Sequence, residues 1–351
     1  MKRKTRVIKL GEVPIGGDNP ITIQSMTNTI TADTDSTIAQ IKDLEAAGCD
    51  IVRVAVANID DAQAIKDIKA QINIPIIADI QYNYRLALES IKYGVDGLRI
   101  NPGNIGSLTR VKEIVKSCKE RSIPIKIGVN SGSIKQEYLE KYNGVNAKSM
   151  VYSALEQIKL LEELDFYDIK ISLKASDVPL TIESYTMMAE MRNYPLHLGI
   201  TEAGPAWRGT IKSAVGIGSL LSKGIGDTIR ISLTADPVEE IKVGREILKS
   251  LGLLNQGLEI ISCPTCGRTR INLMEIVEEA EKRLENIKGH MKVAIMGCPV
   301  NGPGEAREAD IGIAGGNGKG IIFSKGQIVK RVREEDLLDE LIKEVKKIDN
   351  L

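Results

Sequence analysis

Net charge is the first thing this chain lacks. Its 47 Lys and Arg are matched by 47 Asp and Glu, so the formal charge is zero. General nucleic-acid binding needs a basic footprint, and none is available here. Long apolar runs are also missing: no stretch approaches the ~20 residues of a membrane span. The basic start, Lys2-Arg3-Lys4-Thr5-Arg6, leads into no apolar segment and does not read as a signal peptide. Cysteines are few. Five in 351 residues, an odd number, speak for a reducing, cytoplasmic compartment rather than a disulfide framework. No low-complexity segment or short-period repeat occurs. No flavin or nicotinamide motif is visible either. Gly216-Ile217-Gly218 falls inside a helical pattern, not after a strand. The stretch from Ala314 to Gly320 has glycine where a phosphate loop needs Ser or Thr. Apolar runs on both its sides make it a hairpin turn.

What is present is a strand-then-helix alternation from Pro20 to about Leu251. The strand candidates are Ile21–Met26, Ile51–Val56, Ile74–Asp79, Gly97–Ile100, Pro124–Val129, Asp168–Leu173, Leu196–Thr201 and Thr228–Leu233. Amphipathic runs separate them, with apolar residues at helical spacing and charges opposite. Eight such units predict a TIM (β/α)8 barrel over residues 1–252. The alternative, a doubly wound sheet, would typically carry a glycine fingerprint after the first strand. After Gly252 the pattern becomes strand, helix, strand, three short strands and a charged helix. That predicts a smaller α+β domain over 253–351. Cys49 and Cys118 fall at or near helix ends and are read as small buried apolar residues.

The other three cysteines lie in this second region. Cys263 and Cys266 form a C-x2-C pair, and Cys298 follows another strand-like run. Cys263 and Cys298 are each followed by proline, which keeps the cysteine extended and cannot donate to a ladder. Two strand ends thus bring three thiols to one place, the layout of a metal site. The metal stays open at this point. A structural zinc wants four Cys or His ligands, and His290 is poorly spaced to be the fourth. Iron–sulfur clusters use thiolates, and Cys-Pro steps recur in their binding runs. A C-x2-C turn with an incidental third cysteine is the plain alternative.

Barrel chemistry sits at the C-terminal ends of the strands. Read in order, those ends give Arg53, Asp79, Arg99, Lys126 with Asn130, Lys174, Glu202, and Arg230 with Ser232. Barrel strands are normally apolar inside, so five converging cations need a partner. A diphosphate matches them: guanidinium forks fit phosphate oxygens, and lysine adds point charge. Glu202 is the acid among them, either an ion-pair residue or a proton donor. Trp207 on the following loop either shields the mouth or packs.

Taken together, Cys263-Pro-x-Cys266-Gly-Arg-Thr and Met-Gly-Cys298-Pro-Val-Asn-Gly-Pro-Gly-Glu305-Ala resemble the 4-hydroxy-3-methylbut-2-enyl diphosphate synthases. These are the 4Fe–4S reductases of the non-mevalonate isoprenoid pathway. The resemblance runs through nearly the whole chain. It includes Val52-Arg53-Val54, Arg99-Ile-Asn-Pro-Gly-Asn104, Gly128-Val-Asn130, Ser172-Leu-Lys174 and Ile200-Thr-Glu202-Ala-Gly204. It implies a cluster held by Cys263, Cys266, Cys298 and Glu305, and a substrate pocket at the barrel mouth with Glu202 handling a proton. The implied reaction is reductive opening of 2-C-methyl-D-erythritol 2,4-cyclodiphosphate with loss of water. It also implies flavodoxin or ferredoxin as electron donor, and a head-to-tail homodimer. Two positions depart from the family pattern. Lys126 stands where arginine is common and Gln81 where histidine is, so no proton-transfer role is carried over to Gln81. The rival reading is a phosphate-ester lyase barrel with a structural zinc module.

Overall fold

The computed structural model describes residues 2–285, 287, 289–298, 304, 306–316 and 318–349. These form two compact units, Met1–Leu253 and Leu254–Leu351. No helix among the described residues is long and apolar enough to cross a membrane.

The first unit opens with a short antiparallel hairpin, β1 (Ile8–Leu10) and β2 (Val13–Ile15). Eight parallel strands follow: β3 (Thr22–Met26), β4 (Ile51–Ala55), β5 (Ile76–Asp79), β6 (Gly97–Ile100), β7 (Ile125–Asn130), β8 (Ile169–Lys174), β9 (His197–Leu198) and β10 (Thr228–Ile229). The sheet order is β8-β7-β6-β5-β4-β3-β10-β9, and a parallel bridge between Ile171 and Leu196 brings its two ends together. This is a TIM barrel. A parallel strand is covered on both faces, by helices outside and by its neighbours' side chains inside. Every residue of β8 is accordingly buried. Ile169, Ile171 and Leu173 alternate with Lys170, Ser172 and Lys174, so the strand has one apolar and one polar face.

Local sequence starts the helices. Asn146 caps Ala147–Glu162 in a capping box with Ser149. Asp177 accepts from the Leu180 N–H at 2.7 Å, and Pro179 stands in the first turn. The hairpin was not foreseen from sequence, because three-residue strands carry too few alternations to register. Its Ile8, Leu10 and Ile15 pack with Ile51 and Ile77 near the N-terminal ends of β4 and β5. The last two barrel strands are shorter than their apolar runs predicted. Past Leu198 the ladder gives way to single bonds, Arg230 N–H to Leu198 O at 2.9 Å and Thr201 N–H to Ala175 O at 3.2 Å.

The second unit is a five-stranded sheet, β11 (Leu258–Ser262), β12 (Met291–Met296), β13 (Ile311–Gly316), β14 (Lys319–Ser324) and β15 (Gln327–Arg333), in that order. The first three are parallel and the last two antiparallel. Helices Leu273–Arg283 and Leu337–Asp349 cover one face through Leu273, Ala280, Leu337, Leu341 and Val345. The glycine-rich stretch is the β13–β14 hairpin. A Cβ at Gly320 would lie 2.4 Å from Leu337, so this glycine makes room for the final helix, not for a phosphate.

Candidate active site

The barrel gathers the predicted charges. Arg53 lies on β4, Asp79 ends β5, Arg99 lies on β6, Lys126 and Asn130 lie on β7, and Lys174 ends β8. Arg230 directly follows β10, with Ser232 two residues on. Ladder order explains one pairing. Asp79 sits between its neighbours' guanidinium groups, 3.4 Å from Arg53 Nη1 and 3.1 Å from Arg99 Nη1. Gly128 leaves the space: a Cβ there would come within 3.3 Å of Arg99 Nε. Arg230 has a looser partner, Glu240 Oε2 at 3.9 Å. That carboxylate also accepts from Ser25 Oγ at 3.0 Å and from the Leu233 N–H at 3.1 Å.

The lysines differ. Lys126 is 3% and Lys174 8% exposed, and among the described residues neither has a carboxylate within ion-pair distance. Burial, then the Lys174 ammonium, pushes Lys126 well below the ordinary lysine range. Burial, then Arg230, does the same to Lys174. Arg53 is lowered to about 10, chiefly by burial, with Asp79 opposing. These cations share one field with too little negative charge, an arrangement an anionic ligand would relieve.

Three further groups were not foreseen. Lys170 is 1% exposed and beside Lys126 in register, and burial lowers it to about 7. His197 is fully buried, and burial, then Lys126, holds it neutral. Gln24 is likewise buried, and neither amide atom has a hydrogen-bond partner among the described residues. The signal for Lys170 was available, since it is two and four residues before Ser172 and Lys174 on one strand face. Lys170 lies at the N-terminal end of β8, away from the strand ends where barrel chemistry is expected.

Glu202 is exposed in the turn after β9, with φ +52. A non-glycine residue in that region costs roughly 1–2 kcal/mol. No ion pair ties its carboxylate to a cation among the described residues. Asn130 has its backbone N–H bonded to Ser133 Oγ at 2.9 Å, which fixes the loop after β7. Trp207 does not pack: it is 77% exposed.

In the second unit β11 and β12 are adjacent and parallel, so Cys263 and Cys298 emerge at the same end of the sheet. Cys263 Sγ accepts from the Gly297 N–H at 3.2 Å. The Arg270 N–H donates to Gly297 O at 2.9 Å, tying the C-x2-C loop to the end of β12. Cys266 is exposed, and backbone donation from Arg268 lowers its pKa, favouring thiolate. Glu305 lies outside the described residues. Among those described, no group of three or more His, Cys, Asp or Glu side chains is gathered tightly enough to hold a metal ion. An iron–sulfur cluster is held by thiolates. Donor chemistry here fits it: three thiols at one sheet end, one accepting a backbone N–H and one biased toward thiolate. Cys49 and Cys118 are buried, and burial raises both, Cys49 to about 12.

Residues 5–245 match the family model of the GcpE TIM-barrel domain, and residues 259–347 that of the GcpE protein C-terminal domain. The chain belongs to the GcpE family. It is 62% identical over 347 residues, 99% of each chain, to a Clostridium perfringens protein named 4-hydroxy-3-methylbut-2-en-1-yl diphosphate synthase (flavodoxin). A Clostridium acetobutylicum protein of the same name is 60% identical over 348 residues, again 99% of each chain. Among solved structures, the GcpE barrel is similar to dihydropteroate synthase from Stenotrophomonas maltophilia. The TM-score is 0.53 at 10% identity, over 71% of this chain and 98% of that one, a likeness of fold alone.

Proposed function

We propose that this GcpE chain is a 4-hydroxy-3-methylbut-2-en-1-yl diphosphate synthase. It takes 2-C-methyl-D-erythritol 2,4-cyclodiphosphate, opens the ring with two electrons and loses water. The observation that carries the reading is identity of 62% across 99% of a relative bearing that name. The under-neutralised cationic mouth supports it, since a diphosphate is the charge it needs.

In this reading Arg53 and Arg99 present planar forks to phosphate oxygens, with Asp79 holding both in orientation. Lys126, Lys174 and Arg230 supply positive charge in a desolvated pocket, where it acts strongly. Asn130 and Ser232 add hydrogen bonds. Glu202, exposed and without an ion pair among the described residues, holds or donates a proton at the substrate hydroxyl that leaves as water. Cys263, Cys266, Cys298 and Glu305 would hold a 4Fe–4S cluster, which when bound supplies electrons singly. Flavodoxin is the donor, in line with the relatives' names, and ferredoxin is the alternative. The working form is a cytoplasmic homodimer.

Purification without oxygen tests this. A brown protein with broad visible absorption, iron and sulfide in equal amounts, and turnover of the cyclic diphosphate with reduced flavodoxin is expected. A colourless protein with stoichiometric zinc and no turnover overturns it.

A further inference from the structure

Lys126, Lys170 and Lys174 lie on adjacent strands β7 and β8, all at most 8% exposed. Space around them is tight: a Cβ at Gly199, just past the end of β9, would sit 2.5 Å from Lys174 Nζ. Lys170 Nζ and both ring nitrogens of His197 have no hydrogen-bond partner among the described residues.

Among the described residues, the acids facing this cluster are already engaged. From β5, Asp79 is held by Arg53 and Arg99. From the helix Pro237–Ser250, Glu240 is held by Ser25, the Leu233 N–H and Arg230. From the turn before β10, Asp227 accepts from Thr5 Oγ1 at 3.1 Å and the Leu196 N–H at 2.9 Å, with Lys2 at 3.3 Å. The remaining facing groups are cations, Arg53, Arg99 and Arg230, and the neutral His197. Three buried ammonium groups cannot all stay charged beside these guanidinium groups without a counter-ion.

We propose that the barrel takes up protons when the cyclic diphosphate binds, with Lys170, beneath the mouth, as a proton-accepting positioning residue that becomes charged with the ligand in place. This rests on the diphosphate reading above. Each phosphorus of the ligand carries one carbon ester and the shared anhydride bridge, which leaves one strongly acidic hydroxyl on each, so neither titrates near neutral pH and any proton uptake belongs to the protein. Burial leaves Lys170 at about 7 in the free protein. A bound dianion raises it toward the ordinary ~10.4. Between those limits the bound state holds more protons than the free state, so affinity falls as pH rises. For this one group the loss is about 50-fold from about pH 7 to about pH 9.

The experiment is calorimetric titration of the anaerobic, oxidised holoenzyme with the cyclic diphosphate, without reductant. It is run at about pH 8 in buffers of different ionisation enthalpy. The slope of observed heat against buffer ionisation enthalpy counts protons. Uptake of about one proton or more in the wild type is expected, and about one fewer in Lys170→Met. A zero slope with binding intact overturns the proposal, and this arm needs no variant to fold. An unchanged slope in a folded Lys170→Met overturns the role of Lys170. Absence of binding at every pH overturns the diphosphate pocket itself, a separate failure.

Discussion

Replacing Asp79 by Asn keeps the shape of the side chain and removes its charge. In the wild type this carboxylate is 8% exposed and contacts Arg99 Nη1 at 3.1 Å and Arg53 Nη1 at 3.4 Å. At an effective dielectric of about 20, each contact is worth about 5 kcal/mol before desolvation is subtracted. Deleting one partner of a buried pair costs about 3–5 kcal/mol, because the remaining charge stays desolvated. The mouth keeps some solvent at both arginines, 12% and 18% of their side chains, so the lower end applies. For a barrel of this size each kcal/mol shifts Tm by about 2–4 °C, so Asp79→Asn should melt about 6–12 °C lower without ligand. A bound dianion restores the missing charge. The cyclic diphosphate should therefore raise Tm more in the variant than in the wild type. Scanning calorimetry under anaerobic conditions, with and without ligand, reads both effects. A variant melting within about 2 °C of wild type, with an equal ligand shift, would show that Asp79 is not the counter-ion holding the two guanidinium groups.

Gly199→Ala places a Cβ 2.5 Å from Lys174 Nζ and 2.6 Å from the Arg230 carbonyl. Such overpacking costs about 1–3 kcal/mol of stability and pushes the Lys174 ammonium out of place, so cyclic diphosphate binding should weaken, and unchanged affinity by calorimetry in the folded variant would place Lys174 outside the pocket. Glu202→Gln should lower turnover about 10²–10⁴-fold while leaving binding near normal. Wild-type turnover would leave Glu202 without a part in the chemistry. Glu305→Ala should change the Mössbauer signature of one iron and hasten oxidative loss of the cluster. An unchanged spectrum together with unchanged turnover would remove Glu305 from the ligand set.

Much of the molecule was legible before folding. The repeated alternation of β-branched runs with amphipathic ones specifies βα units, and parallel strands covered on both faces explain why those runs are so apolar. For the same reason Lys126 and Lys174 stood out, since a charge in a strand buried on both sides demands a partner. The C-x2-C pair and Cys298 were readable because each follows a strand run and two of them precede proline.

Pairing was not readable. Sequence spacing shows several cations and few acids at strand ends, but not which acid meets which cation. Ladder order decided that: β5 lies between β4 and β6, so Asp79 falls to the two arginines. Among the described residues, Lys126 and Lys174, on β7 and β8, have no such neighbour. Nor could spacing show the left-handed backbone at Glu202, which depends on how the chain leaves β9. The sequence by itself determined the element types, the barrel and the residue types that carry charge or sulfur, because those follow from local periodicity and side-chain chemistry. Only the tertiary structure decided which charges are neutralised and which stay buried with no counter-ion among the described residues, because burial and Coulomb energy depend on distances between strands far apart in the chain.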